Sequence, residues 1–180
     1  RNMAEESLTA FHDKLREDCL RGCGIACLLV LTTFSSFFLL DMINVSGNTL
    51  IFFGGMRLAS CLAAGILLFL IKRYGLRLFP YPELLGWYIA SSTGVPILIM
   101  THLTGGHTSP YCAGLSLVMF GYALAVPQKT RYSTIFNFGL FFLYFFTILL
   151  LDKVESTAVF ASNASIMFGH ATFATVLTHL

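Results

Sequence analysis

The sequence predicts an all-α membrane protein: a bundle of six transmembrane helices with a short amphipathic helix at the N-terminus and both termini in the cytoplasm. Apolar residues make up 56% of the 180 residues and charged residues only 11%, less than half the charged share of soluble domains. The apolar residues are grouped in runs of about 20, the length that a helix needs to cross a bilayer. The basic residues lie almost entirely in alternate connections between these runs.

The same composition excludes several classes of protein. So apolar a chain is not a disordered segment, and a net charge of +2 does not provide the basic surface of a nucleic-acid-binding domain. The low charge content is also not that of an ordinary cytosolic enzyme. We therefore expect the lipid bilayer as a partner and no nucleic acid.

Six apolar runs are candidate spans. They are too long to be membrane strands and do not alternate in polarity. The spans are predicted at residues 22–43, 50–71, 84–103, 109–126, 133–151 and 157–180. Residues 1–20 carry apolar side chains at helical spacing and are predicted to form a separate amphipathic helix, on the membrane surface or against a neighbouring subunit. Residues 21–180 then form the six-helix domain.

The charges predict the orientation. Nine basic residues lie before the first span, between spans two and three, and between spans four and five, whereas the opposite connections hold only Lys153. Since connections rich in Lys and Arg stay in the cytoplasm, both termini are predicted to be cytoplasmic. The last run ends at Leu180 without a basic flank, and the chain begins with Arg rather than Met. We therefore expect the chain to be part of a longer protein, with an effector after Leu180.

Histidines are the first candidate site residues, because histidine is costly in a bilayer and usually marks a site there. His170 lies about 20 Å along the sixth span, close to the bilayer centre. The others lie near an interface, where an imidazole can also simply reach water. Four histidines in or beside spans are candidate metal or cofactor ligands: His102, His107, His170 and His179. His170 and His179 project from opposite helix faces, so one bundle interior cannot easily receive both.

Two further groups of residues are candidates. Arg57 lies about 10–12 Å inside the second span and Asp41 about one turn from the outer end of the first. A helical hairpin can bring them together as a structural ion pair. Three cysteines recur every four residues at the cytoplasmic entry of the first span: Cys19, Cys23 and Cys27. Packing of small apolar side chains is one interpretation of this stripe, and a zinc site, an iron–sulfur cluster or palmitoylation are the alternatives.

The sixth span carries two different faces. A stripe of small residues would allow a second helix to approach closely, and indicates a homodimer axis: Ala158, Ala161, Ser162, Ser165, Gly169 and Thr172. Asn163 and His170 lie seven residues apart on another face.

The stretch from Thr104 to Pro127 reads TGGHTSPYCAGLSLVMFGYALAVP. Its Gly105–Gly106 pair, its Ser109–Pro110–Tyr111 sequence and its Ala113–Gly114–Leu115 sequence resemble the outer turn and fourth helix of six-helix membrane domains in bacterial signalling proteins. In that family the domain precedes a class III adenylate or guanylate cyclase or a histidine kinase. Some cyclase anchors of this kind carry four histidines, and the resemblance then implies haem b as the cofactor and a response to quinones.

The predicted function is therefore that of a membrane-integral sensory and regulatory anchor in the bacterial inner membrane. It would control a nucleotide cyclase or histidine kinase through its sixth helix in a homodimer. No catalytic motif occurs in this sequence, so an enzyme activity would belong to the parent protein. The alternatives are a haem-b-binding, quinone-responsive domain for redox sensing or electron transfer, and a small transporter.

Overall fold

In the described part of the chain, seven α-helices form the bundle. The structure is a computed structural model that describes residues 2–152, 154 and 156–178, with side chains from Ala10 onward. The helices are α1 (Asn2–Leu29), α2 (Phe38–Asn44), α3 (Gly47–Tyr74), α4 (Pro82–Leu103), α5 (Cys112–Ala125), α6 (Thr130–Leu151) and α7 (Thr157–Leu177). A π-helical turn, Val30–Phe34, connects α1 to α2, and 3₁₀ turns lie at Gly75–Arg77 and Gly106–Thr108. No strand occurs in the described ranges.

The apolar runs predicted as spans correspond to helices in the structure, with a difference at the N-terminal end. The last five coincide with α3 to α7 to within three residues at each described end. The first span corresponds to the end of α1, the π turn and α2. The amphipathic segment predicted as a separate element is instead continuous with this span, because α1 runs without interruption from Asn2 to Leu29.

Among the described residues, four helical segments are long and apolar enough to cross a membrane: Ala10–Asn44, Gly47–Arg77, Pro82–Leu103 and Thr130–Leu151. Their length and composition indicate a helical membrane protein. Helix α5, with 14 residues, is apolar but shorter than a full span. Helix α7 has 21 residues but is not among the four, since Asn163, His170 and several Ser and Thr residues lower its hydropathy.

Helix α4 lies at the centre of the bundle. It packs against α1, α3, α5 and α6, while α7 packs against α5 and α6. Helices α3 and α7 are peripheral, because each buries only a narrow strip of side chains. Their outer surfaces are apolar, as Ile51, Leu58 and Phe69 of α3 and Phe173 of α7 show by their exposure. Such surfaces are suited to contact with lipid tails.

Local signals explain where several helices begin and end. Pro82 occupies the first turn of α4, where no backbone donor is needed. Ser156 caps α7, since its hydroxyl accepts a hydrogen bond from the Val159 amide. Helix α3 ends at Gly75, whose φ of 56° is accessible to glycine but strained for other residues.

Helix α1 lies close against the end of α5 at Gly22. A Cβ atom at this position would lie 2.2 Å from the Ala125 carbonyl oxygen and 2.7 Å from Pro127 Cδ. At Gly24, on the same helix, the nearest atom would be a methyl group of Leu68 at 3.9 Å. Only the first glycine is therefore required by packing.

We predict opposite effects for alanine at these two positions. Gly22→Ala should destabilise the protein by about 1–3 kcal/mol, because the new methyl group overlaps backbone that cannot move aside. Gly24→Ala should stabilise it by up to about 1 kcal/mol through the higher helix propensity of alanine. The measurement is the thermal unfolding midpoint in detergent, and equal shifts for the two variants would contradict the packing.

Candidate functional site

Arg57 and Asp41 form an ion pair in the interior of the bundle. Arg57 Nε lies 2.5 Å from Asp41 Oδ2, and Nη2 lies 2.9 Å from Oδ1. The two side chains are only 4% and 0% exposed. This bidentate geometry neutralises both charges where water is excluded. The hairpin of the first two spans thus brings together the two residues that the sequence predicted to pair.

The π turn supplies a further hydrogen-bond acceptor for Arg57. Arg57 Nη1 donates to the Phe34 carbonyl oxygen at 3.0 Å, and the guanidinium carbon lies 4.6 Å from the centre of the Phe34 ring. The stacking adds a cation–π contact. Tyr111, just before α5, donates its hydroxyl to Asp41 Oδ1 at 2.7 Å. The cluster therefore ties α2, α3, the π turn and the N-terminal end of α5 together, which indicates a structural role.

Phe34 also lines a cavity of about 150 Å³ between the π turn, α4 and α5. Its walls are almost entirely apolar and include the small residues Ala26, Ala90 and Gly121. The Thr93 hydroxyl donates to the Ala90 carbonyl oxygen, and the Tyr122 hydroxyl to Gln128 Oε1. This cavity therefore offers few free polar groups to a ligand.

A second and larger cavity lies in the groove between α5 and α7. It measures about 440 Å³, which is within the range of ligand sites. We call it the α5–α7 groove; its lining residues are Cys112, Ala113, Ser116, Leu117, Phe120, Asn163, Ile166, Met167 and His170. Leu117 and Ile166 are about half exposed, so the groove opens on the lipid-facing surface.

Polar side chains are connected to each other along the α5–α7 groove. His170 Nδ1 lies 2.7 Å from Ser116 Oγ, and the Ser116 hydroxyl donates to Met167 Sδ at 3.3 Å. The Phe120 ring packs edge-on against the imidazole at 5.0 Å. Seven residues before His170, Asn163 Nδ2 donates to the His107 carbonyl oxygen at 2.6 Å. An apolar groove with two fixed polar points is the usual form of a lipophilic ligand site.

Two further candidate histidines, His102 and His107, lie near the outer turn. The His107 side chain is 3% exposed and contacts Phe160, and neither ring nitrogen has a partner in the described part of the chain. His102 Nδ1 pairs with the Asp152 carboxylate at the end of α6. That carboxylate packs against Gly106, where a Cβ would lie 2.1 Å from Oδ2. The outer turn therefore needs glycine at this position.

The histidines do not assemble into one site within the described ranges. His170 is the only one of them in the α5–α7 groove, whereas His102 and His107 lie by the outer turn and His179 lies outside the described residues. No group of three or more His, Cys, Asp or Glu side chains there could hold a metal ion. The described residues thus offer no pair of imidazoles that faces a common space for haem b, and haem binding stays a prediction.

The three cysteines form a buried stripe on α1, and the middle one contacts the first residue of α4. Cys19, Cys23 and Cys27 are at most 1% exposed, and the Cys23 thiol donates to the Pro82 carbonyl oxygen at 3.4 Å. None of them belongs to a metal-binding group in the described ranges. Burial also removes the thiols from the surface at which palmitoylation takes place. This geometry favours packing over the zinc, iron–sulfur and palmitoylation alternatives.

Several site residues were not identified from the sequence. Tyr111, Ser116 and Asp152 became partners only through helix packing, and nothing in their spacing marks them. Asp152 carried the strongest available signal, since a carboxylate at the end of an apolar run lies at the same membrane surface as His102 in an antiparallel bundle.

The chain matches no model of a protein family, no curated protein and no solved structure. The resemblance of residues 104–127 to bacterial sensor domains therefore stays a prediction, and the site must be interpreted from its own geometry.

We predict a graded loss of stability when the buried ion pair is dismantled. Arg57→Met should cost about 3–5 kcal/mol, because it leaves the Asp41 carboxylate buried without a cation. Tyr111→Phe should cost about 1–3 kcal/mol, because it removes one of several donors to that carboxylate. The double variant Asp41→Asn/Arg57→Met should be more stable than Arg57→Met alone. The measurement is unfolding in increasing SDS, and an Arg57→Met protein as stable as the parent would show that the pair is not structural.

Proposed function

We propose that this chain is the membrane-embedded sensory anchor of a bacterial signalling protein. A lipophilic signal would enter the α5–α7 groove and change the position of α7 in a homodimer, and thereby regulate a nucleotide cyclase or histidine kinase that follows α7. The proposal is supported by two features of α7: one side lines the apolar α5–α7 groove with its two polar points, and another side exposes a face of small residues.

The exposed face of α7 supports the dimer. All six residues of the predicted small-residue stripe are exposed, whereas α7 buries Met167, Ala171 and Ala174 against the bundle. The stripe is thus not used for packing within this chain. In lipid, small residues allow two helices to pack closely, and this close contact drives association. A second copy of α7 is the partner that would use the whole stripe.

The ends of the helices support six spans with both termini in the cytoplasm. Gly22 contacts the segment before Pro127, Arg16 Nη2 donates to the Pro80 carbonyl oxygen at 2.5 Å, and Thr130 Oγ1 donates to the Thr178 carbonyl oxygen at 3.3 Å. These contacts gather the three basic connections at one end of the bundle. The His102–Asp152 pair lies at the other end. We therefore infer that α5 and α7 cross the membrane beside α4 and α6, with the basic end inside.

The mechanism follows from the position of α7, which lines the groove with one face and exposes the small-residue stripe on another. A ligand that contacts α5 and α7 in only one of two arrangements shifts the population towards that arrangement. Because the groove and the stripe are on the same helix, this shift changes the contact between the two copies. The ligand of the predicted class is lipophilic, quinones included, and reaches the groove from the bilayer.

We predict opposite labelling at the two ends of the bundle. Cysteine introduced by Thr108→Cys should react with a membrane-impermeant maleimide in intact cells, because the outer turn faces outward. Lys129→Cys, in the basic connection before α6, should react only after the cells are permeabilised. Labelling of the parent protein is subtracted, because it reports the native cysteines. Labelling of Lys129→Cys in intact cells, with Thr108→Cys labelled only after permeabilisation, would contradict the orientation.

We predict that the exposed stripe of α7 forms the dimer contact. Ser165→Cys should cross-link in membranes under oxidation, whereas Leu143→Cys, an exposed control on α6, should not. If α7 moves when the signal binds, the ratio of the cross-linking yields of two further variants, Ala158→Cys and Thr172→Cys, should also change. This ratio is measured for protein in synthetic lipid, before and after lipid extract of the host is added. Absence of any stripe cross-link would reject the dimer, and a constant ratio would reject the movement of α7.

A further inference from the structure

We propose that the apolar cavity beside the π turn binds the end of a lipid acyl chain. We call it the π-turn cavity; it measures about 150 Å³ and lies on α4, between the segment around the π turn on one side and α5 on the other. This site is separate from the α5–α7 groove and does not depend on the proposed function of that groove. The shape, the chemistry and the depth of the cavity define the ligand.

The π-turn cavity has a buried floor and an opening towards lipid. Four residues of α4 form the floor and are at most 6% exposed: Ile89, Ala90, Thr93 and Ile97. Leu29 of α1 and Leu117 of α5 also line the cavity, and each is about half exposed. The cavity therefore opens beside two leucines on the outer surface of the bundle, where the bilayer provides hydrocarbon and no water.

The wall of the cavity favours a ligand without polar groups. Its two buried hydroxyl groups are already used as donors, since Thr93 donates to the Ala90 carbonyl oxygen and Tyr122 donates to Gln128 Oε1. A polar ligand would find no free hydroxyl donor on this buried wall. Apolar cavities of about 150 Å³ stay dry in soluble proteins and take up small hydrocarbons. In a membrane, the corresponding occupant is a segment of hydrocarbon chain.

The direction and the depth of the cavity match those of a lipid tail. The floor extends from Ile89 to Ile97, about 12 Å along the axis of α4. It is centred on Thr93, at the middle of this span, which runs from Pro82 to Leu103. The cavity therefore lies parallel to the acyl chains, at the depth where their ends meet.

Phe34 connects the cavity to the buried ion pair. It lines the cavity, and the centre of its ring lies 4.6 Å from the guanidinium carbon of Arg57. The wall of an empty cavity lacks dispersion contacts on one side. An acyl chain supplies these contacts and supports the Phe34 ring against Arg57.

The test measures nuclear Overhauser effects (NOEs) from acyl-chain protons to assigned isoleucine methyl groups of the full chain in lipid nanodiscs. Ile89 and Ile97 are 2% and 5% exposed, so lipid reaches them only by entering the cavity. Both should show lipid NOEs. Ile135, which is 57% exposed on α6, is the positive control. Ile148, which is fully buried on α6 and does not line the cavity, should show none.

A matched pair of variants locates the NOEs. A Cβ atom at Gly121 or at Gly139 would have no contact within 4 Å, but only Gly121 lines the cavity. Gly121 lies at the Ile89 end, since Gly114, seven residues earlier on the antiparallel α5, faces Ile97. Gly121→Leu should therefore fill that end and reduce the lipid NOE at Ile89 to the level of the buried control. Gly139→Leu should leave it unchanged.

Lipid with perdeuterated chains identifies the source of the NOEs in the parent protein. Loss of the NOEs at Ile89 and Ile97 in this lipid shows that the occupant is an acyl chain. NOEs that persist would come from a co-purified apolar molecule and would overturn the inference. NOEs from water, or no lipid NOE at either isoleucine, would also overturn it, as would an unchanged NOE at Ile89 in folded Gly121→Leu. If Gly121→Leu does not fold, the comparison of the two lipids decides.

Discussion

Lipid tails offer no hydrogen bonds, so a polar side chain on a membrane helix must find its partner within the protein or at the membrane surface. The whole bundle follows from this constraint. Arg57 donates to both oxygens of Asp41 and to the Phe34 carbonyl oxygen at the end of the π turn. Asn163 bonds the backbone of the outer turn, and His170 bonds Ser116. Each of these contacts joins different segments of the chain. The polar contacts therefore fix how the helices lie relative to one another, while the apolar side chains provide the buried contacts between them.

The π turn shows how local structure and charge depend on each other. A π-helical turn departs from the α-helical hydrogen-bond pattern and occurs frequently at functional sites. Here the carbonyl oxygen at its last residue, Phe34, accepts a hydrogen bond from the arginine of the neighbouring helix, and its ring covers the guanidinium group. The π turn in the first span and the arginine in the second therefore stabilise each other through the contacts between Phe34 and Arg57.

The α5–α7 groove differs from the ion pair in one important respect. In the ion pair the donors and acceptors of Asp41 and Arg57 face each other, and water and lipid are excluded. In the groove, His170 and Asn163 each satisfy one polar atom within the protein and leave another towards the opening. Half-satisfied polar groups beside lipid are costly, and a protein keeps them where a ligand completes the set. This contrast is why we interpret the first cluster as structural and propose the groove as a binding site.

The sequence by itself determined the class of fold, the extents of α3 to α7 to within three residues, and the pairing of Arg57 with Asp41. These depend on hydropathy over about 20 residues and on the short connection between the first two spans, both of which are local properties. Only the tertiary structure decided that α1 is continuous through residue 20, that Tyr111 completes the ion pair, and that His170 faces Ser116 while His102 faces Asp152. The physical reason is that an apolar helix shows almost no preferred face in lipid. Its rotation, and with it the neighbour of each polar side chain, is set by packing against helices that are distant in the sequence.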